Sequence, residues 1–155
     1  MPLILSTLVD EISKFADQDS LSFTGSPDTI AEAATKWGNA INTYTLGIIP
    51  PSTTQAAAKT ALISTMNTIS TESGNGLIVL QSALTSYAAT LAAGMQPAFT
   101  ATPPPIPLDI TFISVLGLGG ASNDYVISTL CSSIHVWFKT GIAVNNSSGV
   151  TVNWN

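Results

Sequence analysis

A mainly α-helical fold is predicted: a bundle with four long helices, a proline-rich crossover and a C-terminal β-hairpin. Three observations predict it. Apolar residues recur at helical spacing through much of the chain up to Thr140. Five prolines crowd residues 97–107. After Gly141, apolar and polar residues alternate on either side of a turn-forming run. Residues 1–141 are expected to form the helical domain and 142–155 a terminal hairpin.

Residues 3–17 read as an amphipathic helix, with Leu5, Leu8, Val9, Ile12, Phe15 and Ala16 on one face. Asp10, Glu11, Lys14 and Asp17 take the other side. Ser26-Pro27-Asp28 reads as a helix start, because serine caps free amides, proline suits the first turn and an early aspartate complements the dipole. That helix runs to about Leu46 on a stripe of Ile30, Ala33, Ala34, Trp37, Ile41 and Tyr44, with Glu32 and Lys36 paired one turn apart. Gly47 and Pro50-Pro51 end it. A helix over 52–71 buries Ala58, Leu62, Met66 and Ile69, and Ser73-Gly74-Asn75-Gly76 stops it. The next, over 76–94, turns Leu77, Leu80, Leu84, Tyr87, Leu91 and Met95 to the core.

Pro97, Pro103, Pro104, Pro105 and Pro107 predict an extended, stiff segment near polyproline II. It reaches about 25–30 Å at roughly 3.1 Å per residue, enough to carry the chain from one end of a bundle to the other. Leu108–Leu118 is apolar and fits either helix or strand. Ser122-Asn123-Asp124 caps a last helix to Thr140, with Ile127, Leu130, Cys131, Ile134, Trp137 and Phe138 as its stripe. Ile142 and Val144, then Val150, Val152 and Trp154, flank the turn Asn145–Gly149. A lone hairpin is marginal in water, so it is expected to pair with 108–118 or with another subunit. Trp154, close to the C-terminal end, is expected to be an anchor on this domain or on a neighbour.

Charge is the other guide. The 155 residues hold no arginine, four lysines and nine acidic residues. Charged residues make up 8% of the chain, against roughly 25% in an ordinary soluble domain. Small residues replace them, with 20 Thr, 18 Ser and 18 Ala. The 45% hydrophobic share sets the chain apart from disordered sequences. No basic stripe exists to neutralise phosphates, so direct nucleic-acid binding is not expected. The start Met1-Pro2-Leu3-Ile4-Leu5 has no basic region before its apolar residues and does not read as a signal peptide.

No catalytic, cofactor-binding or metal-ligating residue is expected. His135 is the single histidine and Cys131 the single cysteine. They lie four residues apart on one helical face, where a Cys–His nucleophile pair is conceivable, but a core cysteine beside a stripe-edge histidine accounts for them. Gly117-Leu118-Gly119-Gly120 lacks the spacing of a phosphate-binding loop, and no G-x-S-x-G elbow occurs.

The 36 residues between Glu72 and Asp109 carry no charge. Within them, 76–95 contains Gln81, Ser82, Thr85, Ser86 and Thr90 and lacks basic flanks, so a buried helix is favoured over a membrane span. Depletion of charge is also the mark of an interface core. A polar, uncharged surface, a stiff proline arm and a terminal hairpin suit interlocking subunits, and donated strands add main-chain hydrogen bonds across a boundary. Pro103, Pro104, Pro105, Val150, Val152 and Trp154 are the interface candidates.

Three stretches, Gly94-Met95-Gln96-Pro97, Thr102-Pro103-Pro104-Pro105-Ile106-Pro107 and Ile134-His135-Val136-Trp137-Phe138-Lys139-Thr140-Gly141, together with Asn145–Trp154, resemble small virion proteins of tailed bacteriophages. The resemblance implies a structural role and transfers no functional residue. The expectation is a subunit of a phage tail, baseplate or neck, located in the virion, whose partners are copies of itself and other virion proteins. A capsid decoration protein, and a membrane-active pore or lysis protein using residues 76–139, are the alternatives.

Overall fold

The structure, a computed structural model, describes residues 2–155. Six helices and a three-stranded antiparallel sheet form among them. The helices are α1 (Leu5–Ala16), α2 (Ile30–Thr45), α3 (Gln55–Met66), α4 (Gly76–Ala93), α5 (Ile113–Leu118) and α6 (Asn123–Phe138). The strands are β1 (Phe99–Thr102), β2 (Ile142–Asn145) and β3 (Thr151–Asn153), in the order β1-β2-β3.

The predicted apolar stripes face the core. Leu8, Ile12 and Phe15 of α1 are buried, and the Trp37 ring of α2 meets Phe15 edge-on with centroids 5.7 Å apart. Ala58, Leu62 and Met66 of α3, and Leu80, Leu84, Tyr87 and Leu91 of α4, are buried as the spacing requires. All six stripe residues of α6 are buried. Successive helices α1 to α4 pack side by side, and α6 lies against α1. Phe138 reaches across this series, its ring edge-on to Tyr44 of α2 and Tyr87 of α4.

Several boundaries differ from the expectation. Helix α2 begins at Ile30, capped by Thr29, and not at Ser26-Pro27-Asp28. The Thr29 hydroxyl accepts from the Glu32 amide at 3.1 Å, and the Glu32 carboxylate accepts from the Asp28 amide at 3.0 Å. This is a capping box shifted by one residue, since the carboxylate reaches the amide before the cap and not that of Thr29 itself. Helix α3 begins at Gln55 because Ser52, Thr53 and Thr54 are engaged elsewhere. Ser52 Oγ donates to the Leu91 carbonyl, Thr53 Oγ1 to that of Gly94 and Thr54 Oγ1 to that of Thr90. Three hydroxyls of one loop thus bond to carbonyls at the end of α4, where Thr90 and Leu91 share only the Gly94 amide within the helix. Gly94 permits the approach, since a Cβ there would overlap Ser52 and Thr54.

The proline-rich segment is not extended polyproline throughout. Phe99–Thr102 is β1 and pairs antiparallel with β2, Thr100 opposite Val144 and Thr102 opposite Ile142. The hairpin therefore finds its third strand in residues 99–102, and not in 108–118 or in another subunit. Residues 103–107 have no regular structure, and the Trp137 indole donates to the Ile106 carbonyl at 2.7 Å. The 108–118 segment resolves to loop followed by the short helix α5.

The hairpin itself forms as predicted, with β2 and β3 paired Ala143 opposite Val152. Its turn is held by Asn145 Oδ1, which accepts from the amides of Ser147 and Ser148, and by Gly149 at φ +69°. The chain end is fixed to the helices. Trp154 is fully buried, and its amide donates to the Gly141 carbonyl at 2.8 Å. Asn155 and Ile49 exchange two main-chain hydrogen bonds, at 3.1 and 2.8 Å. Trp154 lies so close to Gly141 that a Cβ there would overlap the indole.

Trp154→Ala is expected to lower unfolding free energy by about 3–5 kcal/mol, the usual cost of emptying a large aromatic site, read by urea denaturation. Among the described residues the indole Nε1 has no hydrogen-bond partner. Trp154→Phe therefore breaks no hydrogen bond and is expected to cost less than half as much. Equal losses for the two variants would mean that the ring is not a packing anchor.

Candidate functional site

The structure divides the six interface candidates. Trp154 is in the core, Val152 is half-buried against it, and Pro103 and Pro104 are half-buried. Only Pro105 and Val150 are exposed. Sequence alternation grouped Val150, Val152 and Trp154; Val152 and Trp154 are turned to this domain's own core, and Val150 is exposed.

The Cys131–His135 pair is not arranged as a nucleophile and base. Cys131 is fully buried, and burial pushes its thiol pKa up to about 12, so the thiol stays protonated at neutral pH. No hydrogen bond links it to His135 among the described residues. His135 Nδ1 is hydrogen-bonded instead to the Tyr44 hydroxyl at 2.8 Å. One residue further along α2, Thr45 Oγ1 is 2.6 Å from the Tyr87 hydroxyl and also donates to the Ile41 carbonyl. Burial raises the pKa of both tyrosines. These are neutral hydrogen bonds between helices, and they fix the height of α2 against α4 and α6.

Among the described residues no group of three or more His, Cys, Asp or Glu side chains is placed to hold a metal ion. A hollow of about 360 Å³ near the start of α6 brings Asp10, Asp17, Asp19 and Asp124 to one region. A more apolar groove of about 420 Å³ runs between residues 106–109 and α6, lined by Ile106, Leu108, Val136 and Trp137. Exposed apolar side chains include Phe112, Val115, Leu118 and Val136 on and beside α5 and α6, Val150 just before β3, and Ile49 beside the chain end. Helix α4 is long and apolar enough to cross a membrane, and its Leu80, Leu84, Tyr87 and Leu91 are buried inside the protein.

What the sequence reading missed is the Ser52–Thr54 clamp and the β1 strand. The clamp had a local signal, three consecutive hydroxyl residues before a helix, but nothing local names the carbonyls it caps. In β1, alternation over Phe99, Thr100, Ala101 and Thr102 was overshadowed by the prolines on both sides.

Compared with known proteins, the chain matches no family model, no curated protein and no solved structure.

Burial and the Lys139 charge hold the His135 pKa below its ordinary 6.5. The unfolded chain therefore takes up the proton first as pH falls. Stability is expected to be full above about pH 6.5 and to decline as pH drops below it towards the folded-state value. His135→Gln, which cannot titrate, is expected to remove that decline in urea midpoints measured from pH 7.5 down to 5.5. A variant that keeps the same slope would assign it to other groups.

Proposed function

We propose that this chain is a structural subunit of a tailed-phage virion, part of a tail, baseplate or neck, that assembles through uncharged surfaces and through its proline arm and terminal hairpin. The observation that carries the reading is the surface. Exposed apolar side chains such as Val115, Leu118, Val136 and Val150 are set among Ser, Thr and Asn, with few charges between them. A protein that stays dispersed alone usually carries charge over such positions. Charge depletion suits a face that is desolvated against neighbours. In this reading the four long helices are a bundle and residues 103–107 its proline crossover, with Pro105 and Ile106 presented outward. The resemblance of the last third of the chain to virion proteins points the same way.

A capsid decoration protein would use the same features. The membrane reading is less well supported, because the apolar face of α4 is occupied by α3, β1 and the rings of the core.

Quantitative mass spectrometry of purified phage particles encoding this chain tests the reading. The chain is expected in the particle at a fixed copy number of several per virion. Its absence from particles, with abundance in the host cell lysate, would overturn the proposal.

A further inference from the structure

We propose that the outer edge of β3 is a docking strand for β3 of a second copy, the two copies pairing antiparallel about a twofold axis to give one continuous six-stranded sheet. This rests on the self-assembly reading and names the surface used.

The hydrogen-bond phase of the sheet locates the free groups. The Asn145 amide donates to the Val150 carbonyl, and the Trp154 amide to the Gly141 carbonyl. In an antiparallel ladder, alternate residues turn their main-chain groups to the same neighbour. With the observed register, Val150, Val152 and Trp154 turn theirs to β2, and Thr151 and Asn153 turn theirs outward. Both residues are exposed, and β3 has no further strand beside it. Two amides and two carbonyls are therefore open on one edge. The same side already accepts a strand-like partner at its far end, where Asn155 pairs with Ile49.

Natural edge strands are usually blunted by lysine, proline or a bulge. Residues 140–155 contain neither charge nor proline. The opposite edge is partly blunted, with Ala101 the one residue whose outward groups stay open. On β1 the Phe99 amide is taken by the Met95 carbonyl at 3.0 Å, and Pro97 and Pro103 flank the strand. An open β3 and a largely blunted β1 are poorly matched for head-to-tail growth, whereas β3 against β3 uses the same open groups on both sides. Such isologous pairing is how twofold dimers form.

The register follows from the open groups. With Val152 on the axis, the Thr151 amide of each copy donates to the Asn153 carbonyl of the other, and the Asn153 amide to the Thr151 carbonyl. Ile49 occupies the position beside Asn155, which limits the pairing to residues 151–153. The pairing therefore makes four main-chain hydrogen bonds, two on each side of the axis.

Two readouts on the full-length chain test this. In wild type, the Thr151 and Asn153 amides are expected to exchange with deuterium slowly at high protein concentration and rapidly at low concentration, in step with a dimer-to-monomer transition in sedimentation. Thr151→Pro removes an outward amide and no bond within the subunit, and Thr151→Lys places two like charges near the axis. Each is expected to raise the dimer dissociation constant at least about tenfold, since the proline variant loses two hydrogen bonds per dimer. Far-ultraviolet dichroism and the melting temperature of each variant should stay near wild type. A wild-type chain that associates while these amides exchange rapidly at every concentration would overturn the edge and leave self-assembly standing on another face. A wild-type monomer at all concentrations would overturn pairing with a second copy, while the virion reading would still be decided by the particle measurement.

Discussion

Nearly every interaction that holds this chain together is between neutral groups. Two ion pairs occur among the described residues, Glu11–Lys14 and Glu32–Lys36, each within a single helix. Such pairs contribute a few tenths of a kcal/mol at a surface. Apart from the Lys36 ammonium, which donates to the Gly25 carbonyl at 2.6 Å, the elements are joined by apolar packing and uncharged hydrogen bonds. Tyr44 and Thr45, adjacent on the last turn of α2, reach His135 on α6 and Tyr87 on α4, and Phe138 fills the space between the two tyrosine rings. Each buried hydroxyl in this group has a partner, which avoids the cost of an unsatisfied polar group. Gln55 extends the same scheme by donating to the Thr45 carbonyl.

The composition thus has a structural counterpart. Ser and Thr, short and able both to donate and to accept, do the work that charged side chains do in other domains. Ser52, Thr53 and Thr54 close the end of α4, while Thr35, Thr60, Thr85 and Thr90 bond back to carbonyls one turn earlier in their own helices. With so little charge spent on cohesion and so little on the surface, the outside of the molecule resembles its inside in chemistry. The sheet at the chain end joins these properties: its inner face is sealed by Trp154 and Ala143, and its outer edge keeps open main-chain groups.

Helices were legible in the sequence where a face was both apolar and periodic. In α6 the stripe Ile127, Leu130, Cys131, Ile134, Trp137 and Phe138 and the Ser122 cap were both readable, because each is set by residues within one turn. The start of α2 was misplaced by three to four residues because Ser26-Pro27-Asp28 and Thr29-x-x-Glu32 are both valid caps, and only the tertiary position of the helix chooses between them. The hairpin was readable from alternation, but its partner β1 was not, since pairing of residues 99–102 with 142–145 is a long-range choice that no local pattern encodes. Among the interface candidates, alternation identified the apolar face of Val152 and Trp154 without saying what covers it, and Gly141, which makes room for the indole, showed only as a helix stop.

The central claim, that uncharged surfaces carry assembly, is tested most directly by the salt dependence of the association of the wild-type chain. Sedimentation in detergent-free buffer from about 0.02 M to about 0.5 M sodium chloride shortens the screening length several-fold. The same discrete oligomer with the same dissociation constant is predicted across that range. An oligomer that falls apart as salt rises would show that charge holds it, and would contradict the account.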